Sequence, residues 1–177
     1  EKYDIEFKII NAETKKETHI HSKAILQRDE KGRPFKVLGT IRDITEEKER
    51  QEKLIYLGYH DQLTGLYNRR FFNEEVSRLD TVRNLPLAIV QCDVNGLKLV
   101  NDSFGHDLGD ELLRRVADDI RAGCRADDII SRYGGDEFAL ILPKTNAAEA
   151  ESVIKRINEL ILDEKVGAFD VSVAFGF

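Results

Sequence analysis

The run Arg132-Tyr133-Gly134-Gly135-Asp136-Glu137-Phe138 constrains this chain more than any other stretch. Ile129-Ile130 precedes it and Phe138-Ala139-Leu140-Ile141-Leu142 follows, so two apolar runs flank a Gly-Gly pair. That pattern predicts a β-hairpin. The glycines are expected to turn the chain with positive φ and to let phosphates approach the backbone. Adjacent carboxylates at a hairpin tip have oxygens free for a hard cation such as Mg²⁺. A plain Gly-Gly turn carrying solvating acids explains this run equally well when it is taken alone.

A second acidic cluster separates the two readings. In Leu87-Ala88-Ile89-Val90-Gln91-Cys92-Asp93-Val94-Asn95-Gly96-Leu97-Lys98, an apolar strand ends in Asp93, and Asn101-Asp102 follows soon after. Carboxylates at the ends of two neighbouring strands, with Lys98 close by, predict a phosphate–metal site. An acid acting only as a helix N-cap needs no second carboxylate.

From about Leu63 onward, the chain carrying these residues resembles a GGDEF domain, the catalytic module of diguanylate cyclases. Three further blocks carry the resemblance: Asp61-Gln62-Leu63-Thr64-Gly65-Leu66-Tyr67-Asn68-Arg69-Arg70, Asn101-Asp102-Ser103-Phe104-Gly105-His106 and Gly109-Asp110. The match covers residues from about 58 to 177. The resemblance implies condensation of two GTP into cyclic di-GMP, with release of two pyrophosphates, between two antiparallel copies of the domain. It implies a homodimer and Mg²⁺ or Mn²⁺ as cofactor.

Carried over position by position, the resemblance assigns metal binding to Asp93, the Val94 carbonyl and Asp136. Glu137 falls where the family places a residue that assists deprotonation of the 3′-hydroxyl, with Asp136 beside it as a catalytic carboxylate. Gly96, Leu97 and Lys98 match the phosphate-binding segment, and Asn101 with Asp110 match the guanine-reading pair. A carboxylate at Asp110 suits the N1–H and 2-amino donors of guanine, which favours GTP over ATP; an acid in a first helical turn also has a dipole role there. Arg125 and Asp128 match the family's RxxD inhibitory site for the cyclic product, where Arg suits phosphate and guanine alike; an ordinary surface Arg-x-x-Asp has the same spelling. Asn95 stands where many relatives carry a second Asp, and Leu97 where many carry Phe. His106 reads as a structural hydrogen-bonding residue ahead of a catalytic one.

The organisation predicted along the chain has three parts. Residues 1–45 hold three strand-like runs, Tyr3 to Ile10, Thr18 to Gln27 and Phe35 to Arg42, joined at Asn11-Ala12-Glu13-Thr14 and Asp29-Glu30-Lys31-Gly32-Arg33-Pro34. Ile5, Phe7 and Ile9 alternate with charged residues, as in a sheet with one wet face. This part resembles the C-terminal strands of a PAS sensor domain, ending in Asp43-Ile44-Thr45. His19 and His21, two apart, read as exposed sheet residues, with metal ligation as the alternative. Residues 46–59 read as a charged linker helix N-capped by Thr45, either a solvated spacer or a short coiled coil that transmits a signal.

Residues 60–177 alternate helices and strands: Asn68 to Leu79 helical, Leu85 to Val94 a central strand covered on both faces, Gly105 to Gly123 helical, then the hairpin. Ala147 to Leu162 is helical, and Phe169, Val171, Val173 and Phe175 alternate as one strand. The predicted fold class is α/β, a palm-like nucleotide-cyclase fold with a mixed sheet flanked by helices, preceded by a partial antiparallel PAS sheet and the linker helix. The family continues past this point with a strand region and a helix that bring basic residues to the triphosphate; the C-terminal part is expected to be missing here, which leaves this fragment's own activity open. The absence of Met also reads as a piece of a longer protein.

Composition narrows the classes further. A net charge of −6 argues against a broad nucleic-acid footprint, so an anionic nucleotide needs a cation and local bases. No apolar run approaches the roughly 18 residues of a membrane span, so no membrane segment is expected in this piece. Cys92 and Cys124 read as reduced buried thiols of a cytoplasmic protein. Two other function classes stand beside the enzyme: an effector module that binds GTP or cyclic di-GMP with weak or no turnover, and a dimerisation scaffold.

Overall fold

The computed structural model describes residues 2–162, 165–166 and 169–177. The chain forms two compact units, Glu1–Tyr56 and Leu57–Phe177. In the first unit, β1 (Lys2–Ile10), β2 (Glu17–Arg28) and β3 (Pro34–Asp43) form an antiparallel sheet in that order. Its turns are built by side chains: Asn11 Oδ1 accepts from the N–H groups of Glu13 and Thr14, and Asp29 Oδ1 from those of Lys31 and Arg33. Such Asx turns replace the backbone bonds that a reversal loses.

The alternation in β1 sorts the charges onto one side. Asp4 meets His21 at 2.6 Å and Lys23 at 3.2 Å, and Glu6 meets Lys48 at 2.7 Å. His21 is thus engaged by Asp4, and among the described residues no three metal-ligating side chains converge. The other phase of β1, Tyr3, Ile5, Phe7 and Ile9, stays 39–48% exposed. Helix α1 (Thr45–Tyr59) follows. Thr45 is not its cap as expected. Thr45 Oγ1 accepts from the His19 N–H at 2.8 Å, and Asp43 Oδ1 accepts from the Thr45 N–H at 2.9 Å. The hydroxyl ties the helix start to β2, and Asp43 supplies the capping oxygen.

The second unit contains β4 (Tyr67–Asn68), α2 (Arg69–Leu79), β5 (Ala88–Val94), α3 (Leu97–Phe104), α4 (His106–Gly123), β6 (Ile129–Arg132), β7 (Glu137–Leu142), α5 (Ala147–Leu162), β8 (Lys165–Val166), β9 (Phe169–Asp170) and β10 (Val173–Gly176). The main sheet has the order β10-β5-β7-β6-β4, parallel only between β4 and β6. On one face, Val90, Cys92, Val94, Phe138, Leu140 and Leu142 pack against Leu112, Val116 and Ile120 of α4 and Val153, Ile157 and Ile161 of α5. These helical positions recur every three or four residues, which is why α4 and α5 lie flat on the sheet. On the other face α2 covers only part of the surface, burying Phe72 and Leu79 against Ala139 and Ile141.

The fold departs from the sequence pattern at three places. Strand β5 is not covered on both faces: Ile89, Gln91 and Asp93 are exposed while Val90, Cys92 and Val94 are buried, because α2 does not extend over it. A helix, α3, stands before α4, and Gly105 at φ +88° joins them, its N–H donating to the Asn101 carbonyl at 2.9 Å. The expected strand from Phe169 to Phe175 is interrupted at Val171-Ser172. There the Ser172 carbonyl accepts from the Asn95 N–H at 3.0 Å, so this stretch pairs with the loop after β5.

Candidate active site

The hairpin turn lies between β6 and β7, as its glycines predict, but positive φ is not their contribution. Neither Gly134 nor Gly135 is among the positive-φ residues. The N–H groups of Tyr133 and Gly134 both donate to the Glu137 carbonyl, at 2.7 and 3.1 Å. A Cβ on Gly134 would fall 2.7 Å from Glu137 Oε2. Gly134 therefore leaves room for the Glu137 carboxylate, which a side chain would displace.

Strand register brings the two acidic clusters together. Asp93 on β5 lies directly opposite Glu137 on β7, with Ala174 of β10 on its other side. The Val94 N–H donates to the Asp136 carbonyl at 2.9 Å, fastening the hairpin tip to the end of β5. Like charges paired across strands cost stability unless a counter-charge joins them. The exposed face beside the pair is a groove of about 340 Å³ lined by Gln91, Asp93, Tyr133, Glu137, Ala174 and Phe175.

The donor set suits a hard divalent cation. Asp93 and Glu137 are exposed, Asp136 is half-buried, and all offer carboxylate oxygen. No three such side chains form a closed cage among the described residues. Mg²⁺ at nucleotide sites takes one or two carboxylates and completes its sphere with phosphate and water, so the open arrangement fits that chemistry.

The remaining predicted residues fall on α3 and α4. Gly96, at φ +76°, precedes α3, and Lys98 is exposed in its first turn, with Leu97 packed toward the core. Asn101 follows one turn on, and Asp110 is half-buried in the opening turns of α4. Gly109 makes the approach of the two helices feasible: a Cβ there would meet Asn101 Oδ1 at 2.0 Å. Asn101 Oδ1 is buried without a hydrogen-bond partner among the described residues. Asn95 uses its amide, donating from Nδ2 to Ser172 Oγ at 3.2 Å, which a carboxylate cannot do. His106 is exposed at the start of α4.

Arg125 and Asp128 sit apart from the groove, between α4 and β6. Asp128 Oδ2 accepts from the Arg125 N–H at 2.7 Å, and the Asp128 N–H donates to the Arg125 carbonyl at 3.1 Å. They line a separate cavity of about 350 Å³ with His60, Tyr67 and Arg121. Cys124 borders it, and burial pushes its thiol up to about 12. Burial also raises the Cys92 thiol beside Asp93, so neither is a ready nucleophile.

Sequence reasoning assigned no role to Gln91 and Tyr133, which line the groove, or to Arg132, which ends β6 at the hairpin. A polar Gln91 two positions before Asp93, in an otherwise apolar strand, was the available signal for an open face.

A palm-like mixed sheet, an acidic pair in register on its open face and a Gly-Gly hairpin together define a nucleotide-cyclase class of domain. The chain belongs to the GGDEF family: residues 58–168 match the family described as diguanylate cyclase, GGDEF domain. It is 41% identical over 104 residues to response regulator PleD of Caulobacter vibrioides, covering 57% of this chain and 23% of that protein. It is 39% identical over 126 residues to the probable diguanylate cyclase DgcE of Escherichia coli, covering 70% of this chain and 11% of that one. Thus it spans less than a quarter of either relative. Among solved structures it resembles a GGDEF-only form of PA1120 (TpbB or YfiN) from Pseudomonas aeruginosa: 34% identity, TM-score 0.62, 67% of this chain and 73% of that one. The GGDEF domain of DgcB from Caulobacter crescentus, in complex with c-di-GMP, matches at 29% identity and TM-score 0.59, over 66% and 75% of the chains. Among the described residues no helix is long and apolar enough to cross a membrane.

Proposed function

We propose that this chain is the catalytic portion of a diguanylate cyclase that condenses two GTP into cyclic di-GMP in the cytoplasm. The observation that carries the reading is the Asp93–Glu137 opposition on an open groove beside Asp136. Family membership and the c-di-GMP complex of a relative support it.

In this reading Asp93, Asp136 and the Val94 carbonyl hold Mg²⁺ or Mn²⁺, which would neutralise phosphate charge and favour ionisation of the attacking hydroxyl. Lys98 and the backbone from Gly96 to Lys98 hold the triphosphate, the ammonium acting as a point charge. Asn101 and Asp110 read guanine, whose donors suit a carboxylate acceptor. Glu137 assists removal of the 3′-hydroxyl proton. The 3′-oxygen bonds to the α-phosphorus of the facing nucleotide as the bond to pyrophosphate breaks. Most of the rate then comes from positioning and charge stabilisation.

Two copies, each holding one GTP, face one another, so the active enzyme is a homodimer. The N-terminal sheet is the end of a PAS sensor that acts through α1. Disulfide-crosslinking rates between Cys probes placed along α1 in the full-length protein should differ between signalling states; equal rates remove this regulatory route.

The deciding experiment incubates full-length protein with GTP or ATP and Mg²⁺ and separates the products by chromatography. Cyclic di-GMP from GTP alone is expected. Tight cyclic di-GMP binding without turnover would move the domain to the effector class.

A further inference from the structure

We propose that Arg132 is a positioning residue for this reaction, locking the Asp136–Glu137 tip, and that Asp61 is the counter-ion that sets it. This rests on the cyclase reading above. Arg132 ends β6 and is 71 residues from Asp61 in sequence. Its Nε and Nη2 both donate to the Gly135 carbonyl, at 3.2 and 2.7 Å. Its Nη1 donates to Asp61 Oδ1 and Oδ2 at 3.2 and 3.4 Å. One rigid guanidinium thus grips the hairpin tip with one edge and a carboxylate with the other. Both side chains are sheltered, at 14% and 24% exposure, so solvent screens the pair little.

Asp61 is itself held. Its Oδ1 accepts from the Thr64 N–H at 2.9 Å and from Thr64 Oγ1 at 2.8 Å, and its N–H donates to the Leu66 carbonyl at 2.8 Å. The turn from Asp61 to Leu66 is therefore a fixed base for Arg132. On the other side, Gly135 is bonded to Asp136, whose carbonyl accepts from the Val94 N–H at 2.9 Å. The chain of bonds runs from Asp61 through Arg132 and Gly135 to the end of β5, next to Asp93. A Cβ on Gly135 would meet nothing within 4 Å, so no side-chain packing wedges this residue and the carbonyl grip adds to the backbone bonds of Gly134 and Asp136. A fixed tip keeps the carboxylates aligned, and displacements near 1 Å can cost about 100-fold in rate.

The test uses full-length protein bearing Arg132→Ala, Arg132→Lys or Asp61→Asn. Arg132→Ala is expected to lower kcat by about 30- to 100-fold, leave the KM for GTP within about threefold, and raise the Mg²⁺ concentration needed for half-maximal rate. Arg132→Lys should fail to rescue, because one ammonium cannot span both acceptors. Asp61→Asn, which keeps the Thr64 bonds, should fall between. Hydrogen exchange at the Val94 and Gly134 amides reads the tip independently of turnover, and should quicken about tenfold or more in Arg132→Ala. A folded Arg132→Ala protein with unchanged exchange overturns the proposal, as does full rescue of kcat by Lys. If the wild type makes no cyclic di-GMP, the cyclase reading fails, while exchange still reports whether Arg132 locks the tip.

Discussion

At the scale of single residues, the pairing of Asp93 with Glu137 works against stability and points to use. Two acids meet where a strand pair normally sets complementary groups. Under the proposed reading Asp93→Asn abolishes cyclic di-GMP synthesis, yet in metal-free buffer it stabilises the domain by a few tenths to about 1 kcal/mol. Thermal unfolding in EDTA checks this, and loss of stability would contradict it. Asp61 behaves oppositely. Burial pushes its carboxyl up, but the Thr64 bonds and the Arg132 charge outweigh burial and hold it below its ordinary 3.8. A carboxyl lowered in the fold stabilises above its unfolded value and stops doing so as pH falls through the folded one. Asp61→Asn is therefore less stable than wild type at pH 7, and the gap closes as pH drops below about 4. Urea midpoints at both ends measure it; a constant gap would refute the assignment.

At the scale of elements, α3 and α4 approach too closely for a side chain at Gly109, and under the proposed reading this seam holds the guanine. Gly109→Ala forces Asn101 aside, since the added carbon meets its Oδ1 at 2.0 Å. Because an amide at the end of a side chain swings away, the cost falls on recognition before folding. Affinity for GTP should drop about tenfold or more while the unfolding midpoint moves little. Calorimetric titration decides it, and undiminished affinity would remove Asn101 from the base-reading set. The α3 segment also shows where element prediction fails. Leu97 to Phe104 contains one buried residue, Val100, too sparse a pattern to announce a helix beside the evident periodicity of α4.

For the whole molecule, the proposed reading of one GTP per domain makes product formation depend on two copies meeting. Turnover per chain should rise with protein concentration and then level off. If the Arg125–Asp128 turn, which lines its own cavity, is the inhibitory site that the resemblance implies, it acts as a brake. In the intact protein Arg125→Ala should weaken inhibition by cyclic di-GMP by about tenfold, with the initial rate retained. Unchanged inhibition would send the product elsewhere.

Much of the fold was legible, and the site candidates could be named, because their signals are local. The hairpin lies within 14 residues, α4 and α5 have clear helical spacing, and the motif blocks stay intact along the chain. The sequence by itself determined the hairpin, the strand before Asp93, the helices α2, α4 and α5, the family and the acids to watch. Only the tertiary structure decided that β5 has an open face, that Asp93 stands across from Glu137, that Arg132 reaches Asp61 and that Asn95 bonds Ser172. Those facts depend on register and on which helix covers which strands. Slipping a strand by one residue sends its side chains to the opposite face without altering a letter of the sequence.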